Sequence, residues 1–113
     1  GDALSQLNRN TEALVDYRRG QDIDPGSATL FHLSGDTNRR LGNTEGAIED
    51  YSRAIQLAPD LEWIYLAHVA RAELLTVAGR TPEAINDYER ALELVGPESG
   101  ARENIENALR ELR

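Results

Sequence analysis

The sequence predicts an all-α chain of repeated helix pairs, and three observations predict it. Aromatic residues make up only 5% of the 113 positions. Ala, Leu, Glu and Arg abound while β-branched residues are few, a mixture that suits helices better than strands. Apolar residues recur at helical spacing, as in Ala47, Ile48, Tyr51, Ala54 and Ile55, with Glu49, Asp50 and Arg53 on the other side. The same helix is also written three times: EALVDYRRGQDIDP from Glu12, GAIEDYSRAIQLAPD from Gly46 and EAINDYERALELVGP from Glu83.

In chain order, helices are expected at 2–8, 11–23, 27–41, 44–57, 60–78, 81–95 and 99–112, about seven in all, joined by tight turns. Thr44 and Thr81 stand where N-caps are wanted, Pro82 suits a first helical position, and Pro25, Pro59 and Pro97 follow helix ends. The last segment carries Ile105, Ala108, Leu109 and Leu112 on one face and charges elsewhere, as a terminal lid over a repeat core should.

The interval between copies is informative. Ala13, Tyr17 and Pro25 recur as Ala47, Tyr51 and Pro59, 34 positions on, and Gly1 and Gly35 keep the same interval. Ala84, Tyr88 and Ala91 instead lie 37 positions beyond Ala47, Tyr51 and Ala54. The turn motifs GNTEGA from Gly42 and GRTPEA from Gly79 are also 37 apart, so three residues are inserted upstream of the second motif. They nearly complete one helical turn, so the 60–78 helix is expected to be longer than its counterparts.

Composition excludes several classes. A net charge of −8 and a pI near 4.7 argue against general nucleic-acid binding and against contact with anionic membranes, both of which need a positive field. Without cysteine there is no disulfide, thiolate zinc site or thiol nucleophile. No apolar run approaches the roughly 18 to 20 residues of a membrane span, and the first residues lack a signal-peptide pattern. The segment is expected to be soluble, and no compartment follows for a longer parent.

These residues resemble the tetratricopeptide repeat, whose 34-residue unit is a helix pair with small residues at the crossing, aromatics as wedges and Pro at the end. Phe31, Gly35, Ala47, Tyr51, Ala54 and Pro59 stand at its signature positions. Gly35 and Ala47 would let helices approach while Tyr51 fills space toward the next unit. Ser34 and Asn38 depart from the pattern, which prefers large apolar residues there, as does Gly20, where a small Ala is usual. The resemblance implies a right-handed superhelical solenoid of antiparallel helix pairs: one domain over 1–113, with a truncated repeat at 1–25, repeats at 28–59 and 60–97, and a capping helix at 99–113. By the same comparison, about seven residues of a first helix should precede Gly1 in a longer protein.

The resemblance further implies a protein-interaction scaffold that binds a peptide or protein on the concave face, lined by the first helix of each pair. That face should carry Thr29, His32, Leu33, Asp36, Arg39 and Arg40 in one unit and Leu66, Val69, Ala70, Glu73 and Thr76 in the next. His32 and the two arginines beside Leu33, Leu66 and Val69 would suit a segment with carboxylates and apolar anchors. Arg39 and Arg40 also suit the end of a helix dipole. Some family members bind acidic C-terminal peptides of chaperones through a clamp of Lys, Asn and Arg. This chain has no Lys, and Leu33 and Ala70 occupy two positions where that clamp needs polar groups, so a co-chaperone role is not expected. The alternative is a structural spacer or self-associating module, pairing through the truncated N-terminal edge.

No catalytic, cofactor or metal site is expected. His32 and His68 lie 36 apart with no second histidine at helical spacing, and His68 falls near the wedge position of Phe31. Asp36 and Glu73 form a carboxylate pair of the kind any acidic helical protein offers, without a nucleophile or phosphate loop beside it. Trp63 precedes Ile64 and Tyr65; core packing and an exposed anchor both remain open for it.

Overall fold

The computed structural model describes residues 2–96 and 99–113; the readings placed on Gly1 and Pro97 lie outside them. The described residues form six α-helices: α1 (Asp2–Ile23), α2 (Ala28–Arg40), α3 (Thr44–Leu57), α4 (Tyr65–Val77), α5 (Thr81–Leu94) and α6 (Gly100–Leu112). They fall into two compact units, Gly1–Leu57 and Ala58–Arg113. In the first, α2 packs on α1 and α3; in the second, α5 packs on α4 and α6.

The α2–α3 and α4–α5 hairpins turn by the same device. At the end of α2 the amide of Gly42 donates to the Arg39 carbonyl and that of Asn43 to the Asn38 carbonyl, at 3.1 and 2.8 Å. At the end of α4, Gly79 and Arg80 donate to Thr76 and Leu75 at 3.1 and 2.8 Å. This pair of bonds needs a left-handed residue, supplied by Gly42 at φ 80° and Gly79 at φ 79°.

The same position one repeat earlier is Asn8, and there the helix does not stop. The expected helices 2–8 and 11–23 are one continuous α1, which is why six helices form. No non-glycine residue among those described has positive φ, and the Thr11 hydroxyl donates to the Leu7 carbonyl at 2.9 Å across the expected break. Without glycine the left-handed step is costly and the helical bonds continue.

The three inserted residues do not lengthen a helix. Both α2 and α4 have 13 residues. Ala28 opens α2 three positions after Pro25, whereas Tyr65 opens α4 six positions after Pro59, so the whole insertion lies in the connection. There Leu61 donates to the Ala58 carbonyl at 3.2 Å and Ile64 to the Leu61 carbonyl at 2.9 Å, two successive tight turns that bury Ile64 completely. Trp63, between them, is half-buried.

Capping also differs in detail. Thr44 and Thr81 are the first helical residues rather than caps. The Asn43 side chain accepts from the Gly46 amide at 3.2 Å ahead of α3, while Arg80 and Glu83 join through two hydrogen bonds of 3.0 and 2.6 Å at the start of α5. Ser27 and Ser99 cap α2 and α6 through their hydroxyls.

Small residues and tyrosines organise both cores. Ala47, Tyr51 and Ala54 are fully buried in the first unit, as are Ala67, Ala72, Ala84 and Ala91 in the second. The Tyr51 ring lies against Gly35 of its own hairpin, where an added Cβ would stand 2.9 Å from ring carbons. Ile105 and Leu109 are buried on the inner face of α6, which packs on α5.

Candidate functional site

In the first unit, α2 presents His32, Leu33, Asp36, Arg39 and Arg40 along one side. Leu33, Arg39 and Arg40 are exposed, and Asp36, Arg39 and Arg40 line a surface cavity of about 480 Å³. Asp36 accepts a hydrogen bond from the buried Tyr51 hydroxyl, and its other oxygen is 3.6 Å from His32 Nε2. The His32 and Tyr51 rings are tilted, with centroids 5.4 Å apart.

This arrangement fixes charge states. Burial lowers the His32 pKa, and the Asp36 charge only partly opposes that, so the imidazole is neutral at neutral pH. Burial pushes the Tyr51 hydroxyl well above its ordinary range, Asp36 adds to the effect, and Arg39 works against it. Tyr51 stays protonated and Asp36 remains its acceptor. His32 is therefore a packed ring at the edge of this surface, not a cationic contact.

In the second unit, α4 carries Leu66, Val69, Ala70 and Glu73. Leu66 is 45% exposed, Val69 is half-buried, Glu73 is exposed, and Ala70 is buried. Three of the four, Leu66, Val69 and Glu73, line a groove of about 270 Å³ that also involves Tyr65, Tyr88, Ala101, Asn104, Ile105 and Ala108. The α6 contribution was missed from sequence, because that helix reads only as a cap. The inward spacing of Ala101, Ile105 and Ala108 at one-turn intervals was the available signal.

Beneath that surface lies a buried ionic cluster. Arg71 grips Asp87 with two hydrogen bonds of 2.7 and 2.5 Å, and His68 Nδ1 lies 3.0 Å from the same carboxylate. Burial alone would raise the Asp87 pKa, but the bonds from Arg71 and His68 outweigh it and hold the carboxyl below the usual range. His68 is thus a core residue, and its ring orientation is set by Asp87. The counterpart of Asp87 in the first unit is Asp50, which accepts from Ser34 and Asn38, each at 2.8 Å. Ser34 and Asn38 are only 1% exposed, so the departures noted in sequence are donors to a helix-to-helix carboxylate.

Among the described residues no group of three or more His, Asp or Glu side chains is placed to hold a metal ion, and no helix is long and apolar enough to cross a membrane.

Helix hairpins closed by a glycine turn, with a small residue seated on a tyrosine, define a helical-repeat class of protein, one that is similar to tetratricopeptide repeats. A family model described as "TPR repeat" matches residues 35–67. A Caenorhabditis elegans cell division cycle protein 27 homolog is 41% identical over 56 residues, which are 50% of this chain and 7% of that protein, so the chain spans a small part of that relative. Among solved structures, the first TPR of Spaghetti (RPAP3) bound to HSP90 peptide SRMEEVD has a TM-score of 0.79 at 27% identity, covering 99% of this chain and 83% of that one. The first TPR domain of human RPAP3 gives 0.77 at 27% identity with the same coverage. The Yersinia enterocolitica type III secretion translocator chaperone SycD gives 0.83 at 19% identity, covering 98% of this chain and 83% of that one, a likeness of fold.

Proposed function

We propose that this chain is a protein-interaction module that takes peptide segments on the exposed sides of α2 and α4. The residues assigned to contact are Leu33, Asp36, Arg39 and Arg40 with the edge of the His32 ring in the first unit, and Leu66, Val69 and Glu73 in the second, the buried Ala70 standing behind them. The observation that carries this reading is the groove of about 270 Å³ beside α4, where the exposed Leu66 stands beside the half-buried Val69 and Ala108 over the buried Ile105. Monomeric proteins rarely leave aliphatic side chains clustered and exposed without a use. The solved RPAP3 repeat that shares 27% identity holds a peptide, which supports peptide capture by this chain as well.

Three residue facts support a different peptide chemistry. There is no Lys in the chain, Leu33 and Ala70 are apolar, and the groove is lined by one carboxylate and no cation. The test is selection of binding peptides from a displayed library, followed by anisotropy measurements on the winners. Leu66→Glu or Arg39→Glu should each weaken the respective class of peptide about tenfold with unchanged helicity. Undiminished binding to both variants would remove the assignment.

A second reading, self-association, is favoured by α1, which exposes Leu4, Leu7 and Val15 at 61, 48 and 45%. Light scattering over a range of concentrations tests it: Leu7→Glu should abolish any concentration-dependent rise in mass. A constant monomer mass discards this reading.

A further inference from the structure

Arg9 of α1 and Arg40 of α2 share a surface cavity that no carboxylate lines. The cavity is about 390 Å³, and Gln6 and Asn10 are its other lining residues, each with an amide that can donate. Acidic residues outnumber basic ones by 20 to 12, and in the second unit Arg71, Arg80, Arg90 and Arg113 each pair with a carboxylate. Arg9 and Arg40 have no hydrogen bond or ion pair among the described residues. Two like charges around one space repel, and an anion between them removes that cost. Arg40 also borders the cavity of Asp36 and Arg39, so the space continues the exposed side of α2.

We infer that this cavity takes a phosphoryl group carried on a serine or threonine of a partner segment. The inference rests on the peptide reading of α2 and adds a modification to it, while Gln6, Arg9 and Asn10 lie outside that reading. A phosphoserine brings a charge of about −1.5 to −2 and three acceptor oxygens, which match two guanidinium forks and two amide donors. A carboxylate brings one charge and is satisfied by one arginine, so the second would stay unpaired. The net charge of −8 repels a long polyanion such as a nucleic acid, whereas a single phosphate meets chiefly the local field of Arg9 and Arg40.

The test uses NMR titration of the intact chain at about pH 7.5, where phosphoserine is mostly dianionic. Three peptides, blocked at both ends so that no terminal charge contributes, share an Ala/Gln background with one Leu and carry phosphoserine, Ser or Glu four residues after it. Inorganic phosphate and a hexauridine strand are titrated alone. The phosphoserine peptide should bind about tenfold tighter than the Ser peptide and about threefold tighter than the Glu peptide, with shifts at Gln6, Arg9 and Arg40 and a preference that shrinks as salt rises. Arg9→Gln and Arg40→Gln should each cut the tenfold preference to about threefold or less. Arg18→Gln changes the net charge equally at an exposed α1 position outside the cavity, and should leave the preference unaltered.

Equal binding of the phosphoserine and Ser peptides overturns the inference, as does a preference that Arg18→Gln reduces as much as Arg9→Gln does. Inorganic phosphate or hexauridine binding more tightly than the phosphoserine peptide overturns the peptide as the carrier. Leu33→Ser addresses the α2 reading separately: it should weaken the phosphoserine and Ser peptides alike and leave their ratio unchanged. If it alters neither affinity while the ratio persists, the α2 reading falls and the phosphoryl site stands. If none of the three peptides binds, both conclusions fall.

Discussion

Gly35 and Tyr51 occupy one another's space: the Tyr51 ring is fully buried where a Gly35 Cβ would stand 2.9 Å from its carbons, and its hydroxyl is held by Asp36. The ring has nowhere to swing, so Gly35→Ala must push α2 and α3 apart. Overpacking of this kind costs about 1–3 kcal/mol, against about 1 kcal/mol gained from better helix propensity. A net loss of up to about 2 kcal/mol is expected in urea unfolding. Combining it with Tyr51→Leu should cost less than the two single changes summed, because the clash disappears. A Gly35→Ala protein as stable as the parent would show that the ring yields.

Asp87 should dominate the stability of the second unit. Replacing it with Asn leaves Arg71 without its charged partner in a mostly buried place, which costs about 3 kcal/mol. The pH dependence has a definite sign. The folded carboxyl titrates below its ordinary value of 3.8, so between the two values the unfolded chain binds more protons. Its contribution is therefore present above about pH 4 and lost as pH falls further, and the stability gap between parent and Asp87→Asn should narrow from about pH 6 to about pH 3. A gap that is constant with pH would mean the ionic bonds contribute nothing.

Asn38 invites the opposite change, because the repeat pattern prefers a large apolar residue there. Asn38→Leu should nonetheless destabilise by about 1–3 kcal/mol, since Asp50 loses a donor 2.8 Å away. Pairing it with Asp50→Leu should recover part of that loss. Unfolding curves of the two single variants and the double variant decide this, and a stabilised Asn38→Leu single variant would refute the role given to Asp50.

The three-residue insertion sits in a connection, and residues 60–62 are exposed. Their removal should leave helical circular dichroism unchanged per helical residue and reduce stability by no more than about 1 kcal/mol, as shortened surface connections usually do. Loss of the cooperative transition would show instead that these turns anchor Ile64.

Much of the candidate site was legible in the residues. The alignment of His32 with Val69 and of Asp36 with Glu73, 37 positions apart, placed them on equivalent helix faces before any coordinates. The burial of Ala70, and the groove that the evenly spaced Ala101, Ile105 and Ala108 help to wall, were not legible, because they depend on which helices pack beside α4 and α6. Spacing along a chain reports which face a residue occupies, not what another helix lays over that face.

By itself the sequence determined the helical class, the hairpin unit and the glycine turns, since each follows from local periodicity and backbone freedom, whereas the seat of Tyr51 on Gly35 of its own hairpin, rather than toward the next unit, came from the packing. Only the tertiary structure decided that α1 runs unbroken through Asn8, that the insertion folds as turns before Tyr65, that Ser34 and Asn38 serve the half-buried Asp50, and that Arg71 and His68 serve the buried Asp87. The aspartate contacts depend on which polar groups meet across two helices, and a carboxylate between helices takes its donors from whatever residue the packing brings within reach.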